Sequence, residues 1–312
     1  MIEVKNITKK YGDIYAVKDI SFSVESNRIY GFLGPNGAGK TTTMNIITGC
    51  LAATSGTVKI NGHDVYEQPY EAKKKLGYLP ELPPLYLDMT PNEYLRFVGE
   101  AKGLKKSELK EHVESVTERT KTTDVGNRII RNLSKGYRQR VGLAQAMIGY
   151  PEILILDEPT VGLDPRQIIE MRELIKELGK DHTVILSSHI LSEVGAICDH
   201  ILIISKGELV ASDSPQNLQN KFSNSNILSL TVSGNTTKIK NALKNIEGLI
   251  KVSLKKISKT DLVSVTIESV TDIDPRDRIS KALINSDCLI MSMTQTMMSL
   301  EDVFLRLTAE DI

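Results

Sequence analysis

Gly34-Pro35-Asn36-Gly37-Ala38-Gly39-Lys40-Thr41 constrains this chain more than any other stretch. The octet has the spacing GxxxxGK[ST] and directly follows an apolar run, Ile29–Leu33, that reads as a strand. Glycines so spaced let successive backbone N–H groups turn inward around phosphate oxygens. Lys40 then sets a point charge on β- and γ-phosphates, and Thr41 offers its hydroxyl to Mg²⁺. The next segment, Thr42–Thr48, reads as a helix whose positive end faces the same anions. A strand, this loop and a helix in that order are the context a phosphate loop needs.

The surrounding sequence fits that context. Arg28–Leu33, Thr57–Ile60, Ile153–Leu156, Thr183–Ser187 and Ile201–Ser205 are short Ile/Leu/Val-rich runs, most followed by a polar, Gly or Pro break. Continuous apolar runs of this length suit strands buried on both faces, and so a largely parallel α/β sheet. A polar helical stretch interrupts them from Pro91 to Thr120. Thr90-Pro91-Asn92-Glu93 is a capping box with proline at the first helical position. Gly103 breaks the stretch, and a second helix is expected from about Lys106.

Composition shifts at Ser212–Asn226, which reads as a linker or a capped helix. The predicted order beyond it is strand (Ile227–Val232), helix (Thr236–Ile246), strand (Lys251–Lys256), strand (Leu262–Ile267), helix (Asp274–Asn285) and strand (Leu289–Thr294). That βαββαβ order is ferredoxin-like, and a last helix, Leu300–Thr308, follows it. With 312 residues, and about 150 per domain, two domains are expected. The first is residues 1–220, with a helical subdomain at about 85–150, and the second is residues 221–312. Met291, Met293, Met297 and Met298 read as one buried face of a strand rather than a docking surface.

Charge and cysteine content remove several function classes. Lys plus Arg and Asp plus Glu are 39 each, and residues 222–312 carry 11 of each sign. This balance argues against a general nucleic-acid binder, which needs an excess of Lys and Arg. Cys50, Cys198 and Cys288 form no CxxC pair, and Met1-Ile2-Glu3-Val4-Lys5 is not signal-like, so a reduced, cytosolic chain is expected. No apolar run approaches the roughly 20 residues of a spanning helix.

A second constellation is Ile153-Leu154-Ile155-Leu156-Asp157-Glu158-Pro159. Four apolar residues deliver two adjacent carboxylates at a strand's carboxyl end, where α/β sheets bind ligands. Asp157 is expected to face Mg²⁺, directly or through water, and Glu158 to face the attacking water as general base.

Taken together these segments resemble the ATP-binding subunit of an ABC transporter, over residues 1 to about 215. Leu133-Ser134-Lys135-Gly136-Tyr137-Arg138-Gln139-Arg140 occupies the place of that family's LSGGQ signature. Ser134 and Gly136 match it, while Lys135 and Tyr137 depart from it. The LSKGYRQR form resembles drug- and sodium-export-type subunits, as does the ending Ser299–Thr308. Val161-Gly162-Leu163-Asp164-Pro165 resembles the D-loop, His189 in Ser187-Ser188-His189 the switch histidine, and Tyr11 in Lys10-Tyr11-Gly12 the aromatic that stacks on adenine. Plainer readings stand beside these: a helix N-cap for Ser134, a packed histidine, a hairpin tyrosine. Glu81, in Gly77-Tyr78-Leu79-Pro80-Glu81, stands where the family usually has glutamine, and its carboxylate remains competent to bind Mg²⁺.

The resemblance implies an ATPase that drives a separate integral-membrane permease from the cytoplasmic face, in the export direction. Two copies would close head to tail around two MgATP. Lys40, Thr41, Glu81, Asp157, Glu158 and His189 of one chain would meet Ser134 and Gly136 of the other. Contact with the permease is expected near Pro83–Met89, and no nucleic acid is expected. The alternatives are a soluble ABC ATPase acting on nucleic acid or the ribosome, and a non-catalytic regulator. Retention of both Lys40 and Glu158 disfavours the regulator. The transported substrate would be read by the permease, so this chain does not name it.

Overall fold

Apolar runs of four to six residues are too short for helices and long enough for buried strands. In the computed structural model they become the centre of a parallel sheet. The structure describes residues 1–222, 225–244, 246–257, 261–270, 274–296 and 299–308. The chain divides into two compact units, Met1–Pro215 with Leu307–Ile312, and Gln216–Arg306.

The strands of the first unit are β1 (Ile2–Tyr11), β2 (Ile14–Val24), β3 (Ile29–Leu33), β4 (Ser55–Ile60), β5 (His63–Asp64), β6 (Leu76–Leu79), β7 (Ile153–Leu156), β8 (Thr183–Ser188), β9 (His200–Ser205) and β10 (Glu208–Asp213). Its helices are α1 (Lys40–Ile47), α2 (Pro69–Lys74), α3 (Pro91–Ala101), α4 (Lys106–Arg119), α5 (Lys135–Met147), α6 (Pro165–Leu178) and α7 (Leu191–Ile197). One sheet runs β10-β9-β3-β8-β7-β6. Its pairs are parallel apart from the antiparallel edge strand β10. Every residue of β3 and of β7 is buried, as strands covered on both faces require.

The second sheet, β2-β1-β4-β5, is antiparallel. Thr57–Ile60 lies in this sheet, which corrects its expected place among the parallel strands. The signal was in the periodicity: Val58 and Ile60 are buried while Thr57 and Lys59 are exposed, the alternation of a strand with one wet face. The two sheets share a core. Ile2, Val4, Val58 and Ile60 cluster with Phe32, Ile153, Ile155, Ile185 and Leu202. Met44, Ile46 and Ile47 of α1 are buried in the same cluster, so the helix that follows the phosphate loop is anchored in the core.

The helical subdomain begins at the expected capping box. The Glu93 N–H donates to Thr90 Oγ1 at 3.3 Å, and the Thr90 N–H donates to Glu93 Oε2 at 2.8 Å. Its α5 packs against β6 through Gly77. A Cβ there would lie 2.2 Å from the Ala146 carbonyl oxygen, so helix and strand approach closely only because residue 77 has no side chain.

The second unit contains α8 (Pro215–Phe222), which begins at its border, β11 (Ser225–Ser233), α9 (Thr236–Leu243), β12 (Leu249–Lys256), β13 (Leu262–Val270), α10 (Arg276–Ile284), β14 (Leu289–Thr296) and α11 (Leu300–Thr308), whose last two residues fall in the first unit. Its strands pair in the order β12-β13-β11-β14, all antiparallel. That is the split-βαβ arrangement expected from the element order. Leu228, Leu230, Val232, Val263, Val265 and Ile267 meet Ile239, Leu243, Ile279 and Leu283 of α9 and α10 in its core.

The methionines do not form one buried face. Met293 packs on this core, but Met291 is exposed. The register explains why: Thr231 pairs with Ser292 and Val232 with Ile290, so Met291 is the extra residue of a bulge, and the alternation restarts across it. Met297 and Met298 lie outside the described residues.

Gly77→Ala should lower unfolding stability by about 1–3 kcal/mol, because an inserted methyl must displace backbone. Urea unfolding measures it, and an unchanged midpoint would contradict the close approach of α5 to β6.

Candidate functional site

Gly39 sits at φ +103° with the Ala16 carbonyl oxygen 2.4 Å from the position its Cβ would take. Only glycine fits there, and it opens α1 with no side-chain cap. The first N–H groups of α1 therefore remain available to an anion, with no acidic residue in the first turn. Lys40 is buried, and its Nζ donates to the Gly34 carbonyl at 2.8 Å and the Pro35 carbonyl at 3.3 Å.

Two neighbouring strand ends supply the rest. Asp157 follows β7 and is 1% exposed. Its Oδ1 accepts from Ser187 Oγ at 2.5 Å and faces Thr41 Oγ1 at 3.5 Å. Its Oδ2 is buried with no hydrogen-bond partner among the described residues. Burial pushes the Asp157 carboxyl above the usual range, against the Ser187 and Thr41 hydroxyls that lower it. Glu158 adopts a left-handed backbone, φ +47°. Its Oε1 lies 3.6 Å from Lys40 Nζ and its Oε2 2.8 Å from His189 Nδ1.

These groups converge on one cavity of about 400 Å³, lined by residues 36–42 with Ala16, Glu81, Glu158, Val161 and His189. Asn36, Gly37, Ala38, Gly39, Lys40, Thr41 and Thr42 therefore lie together, as expected, with Glu158 and His189 facing them and Glu81 among the lining. Gly34 and Pro35 are not among the lining; their carbonyls hold Lys40, which is. Asp157 sits behind the lining, next to Thr41. A hollow of about 460 Å³ elsewhere involves Arg119, Lys121, Lys176 and Lys180. Its Arg119 and Lys180 pair with Asp181 and Glu177, and no buried acid converges on it.

The other expected residues are not among this lining. Ser134 caps α5, accepting the Tyr137 N–H at 3.4 Å, and Asp164 caps α6, accepting the Gln167 N–H at 2.9 Å. Gly136 faces Gln167, and Lys135 lies against Gly162. Tyr11 ends β1 in a hairpin with β2, half exposed, with Lys9 Nζ 5.1 Å from its ring centre.

Sequence reasoning passed over two polar groups here. Ser187 accepts the Glu158 N–H at 2.8 Å while donating to Asp157. The parallel register Ile155↔Ile185 and Leu156↔Leu186, extended by one residue, sets Ser187 beside Asp157, so the two apolar runs aligned at their ends held the signal. Glu193 on α7 is buried and accepts from Thr160 Oγ1 at 2.6 Å and Ser188 Oγ at 3.5 Å. It joins the loop after Glu158 to the residue before His189. A lone glutamate within a short helix carried no such signal.

The donor set fits a hard, oxygen-seeking cation. Asp157 Oδ2 is an unpartnered buried oxygen, with the Thr41 hydroxyl near its carboxylate. Among the described residues no group of three or more His, Cys, Asp or Glu is able to hold a metal alone. A cation here must complete its shell with water and phosphate, which is how Mg²⁺ binds beside nucleotides.

Three comparisons bear on the site. Residues 17–161 match the ABC transporter family. The chain is 38% identical to the linearmycin resistance ATP-binding protein LnrL of Bacillus subtilis, over 75% of this chain and 76% of that protein. It is 32% identical to the bacitracin transport ATP-binding protein BcrA of Bacillus licheniformis, over 98% and 97%. Among solved structures, it resembles the dimeric post-hydrolysis state of the ATP-binding cassette MJ0796 bound to ADP and Pi. That likeness has a TM-score of 0.63 at 25% identity, over 69% of this chain and 98% of that one.

The burial of Asp157 predicts a pH effect. A carboxyl raised in the folded state binds its proton more tightly there, so stability falls as pH rises from the ordinary value of 3.8 through the raised one. Above that window the ionised form carries the full cost. Nucleotide- and metal-free Asp157→Asn should therefore melt higher than the parent at pH 7, with the gap closing in acid. A lower melting temperature at pH 7 would show that the Ser187 and Thr41 hydrogen bonds outweigh burial.

Proposed function

The chain belongs to the ABC transporter family as an ATP-binding subunit, an ATPase coupled to transport, and on that premise we propose the residue roles by which it binds and hydrolyses MgATP. The observation that carries this reading is the convergence of Lys40, Glu158 and His189 on one cavity, with Asp157 and Thr41 beside it. Backbone N–H groups of the loop Gly34–Gly39, apart from Pro35, which has none, and of the start of α1 hold the phosphates. Lys40, held by the Gly34 and Pro35 carbonyls and near Glu158, turns to the β- and γ-phosphates. Tyr11 stacks on the adenine.

Thr41, Asp157 and Glu81 hold Mg²⁺, which supplies charge neutralisation on the phosphates. Glu158 takes the proton of the attacking water, and His189 holds the Glu158 carboxylate through Nδ1 and contacts the γ-phosphate. Little covalent work falls to the protein, so most of the rate comes from positioning and charge stabilisation.

We further propose that the functional unit is a pair of chains. Ser134, Gly136 and Asp164 do not line the cavity of their own chain, and the start of α5 offers a second helix N-terminus for a γ-phosphate bound to a partner. Two copies closing head to tail would complete two sites. The likeness to a dimeric cassette supports this arrangement.

The partner outside the dimer is an integral-membrane permease. No helix among the described residues is long and apolar enough to cross a membrane, so the chain would sit at the cytoplasmic face through that partner. Leu82, Tyr86 and Leu87 are exposed just beyond Glu81, and Tyr86 stacks near Tyr94 and Phe97. This apolar patch suits a protein partner and lies where nucleotide contact at Glu81 is readily felt. Bacitracin transport and linearmycin resistance in the relatives favour export. The even charge disfavours action on nucleic acid or the ribosome.

Glu158→Gln should abolish phosphate release while leaving ATP-trapped dimers on a sizing column. Turnover at the parent rate would remove Glu158 from the role of base.

A further inference from the structure

The hydroxyl of Ser187 touches both carboxylate residues of the site at once. It is fully buried, donates to Asp157 Oδ1 at 2.5 Å and accepts the Glu158 N–H at 2.8 Å. A hydroxyl donates one hydrogen bond, and here Asp157 accepts it. We propose that Ser187 is a positioning residue for hydrolysis, a single buried hydroxyl that sets the relative geometry of Asp157 and Glu158. The proposal rests on the roles assigned above to those two acids.

Two consequences follow from the contacts. The donation occupies Oδ1, so the carboxylate plane is fixed with Oδ2, its unpartnered oxygen, left for the cation. The acceptance fixes the backbone of Glu158. Along a regular strand, successive side chains point to opposite faces, which would send Glu158 away from the side Asp157 serves. The left-handed turn at φ +47°, uncommon for a residue other than glycine, breaks that alternation. It brings the Glu158 carboxylate to Lys40 and His189, and the hydrogen bond to Ser187 holds the turn.

A valine or alanine at 187 would satisfy the strand equally well, since Val184, Ile185 and Leu186 precede it in a buried strand. Packing alone therefore gives no reason for a hydroxyl there. What the hydroxyl adds is directed at the two acids.

The test uses the full chain with ATP and Mg²⁺. Ser187→Ala should lower kcat about tenfold or more, as loss of a hydrogen bond to a charged group does. ATP binding at equilibrium should stay within about threefold, since the phosphate loop is untouched. The Mg²⁺ concentration giving half-maximal rate should rise. Ser187→Thr, which keeps the hydroxyl, should recover most of kcat. If Ser187→Ala does not fold, Ser187→Cys reads the same loss with a much weaker donor. Parent-like kcat and Mg²⁺ dependence in Ser187→Ala would overturn the proposal, as would a folded Ser187→Thr as slow as Ser187→Ala. Glu158→Gln run alongside separates the two levels. If it still turns over, the base assignment has failed. If it is inactive while Ser187→Ala is unimpaired, only the role of Ser187 has failed.

Discussion

The parallel ladder among β3, β8 and β7 is the constraint on which the site depends. Leu33 pairs with Ser188 and Leu156 with Leu186, so three strands end side by side. Each end carries a different piece: the phosphate loop after β3, Asp157 and Glu158 after β7, Ser187 to His189 at the end of β8. A slip of one residue in any pair would turn these side chains to the wrong faces. The apolar strands do not merely support the site; their register assembles it.

That assembly leaves charge in a dry place. Lys40, Asp157 and Glu158 are all buried, and one oxygen of Asp157 has no partner among the described residues. Burying such groups is unfavourable unless each is paired. Lys40 relies on two carbonyls and a carboxylate at 3.6 Å. Phosphate oxygens and a divalent cation bound there would relieve both the lysine and the aspartate. A buried acid whose carboxyl is pushed up by burial, as at Asp157, is characteristic of functional sites.

What was legible in the sequence was whatever depends on local spacing. The phosphate loop, the acidic pair after an apolar strand, the capping box at Thr90 and the βαββαβ order are all local patterns. What escaped depends on the register between distant segments. Ser187 acquires its meaning only when β8 lies beside β7, and Glu193 only when α7 covers Thr160. The alternation of Thr57–Ile60 is visible in the sequence, but its apolar content alone does not separate a strand with one wet face from one buried on both. The bulge at Met291 is set by its partner strand. Ser134, Gly136 and Asp164 differ again: their motifs are recognisable, yet within one chain Ser134 and Asp164 cap helices, Gly136 faces Gln167, and none of the three lines the cavity.

We propose that each nucleotide site draws its phosphate loop from one chain and its signature from another. Lys40→Ala removes the first element and Ser134→Arg the second, and each variant alone should be inactive. A mixed pair contains one site with both elements intact. Mixing the two purified variants should therefore restore ATP hydrolysis, up to the share of mixed pairs formed. A mixture that stays as inactive as either variant, with dimers demonstrably formed, would contradict a site shared between chains.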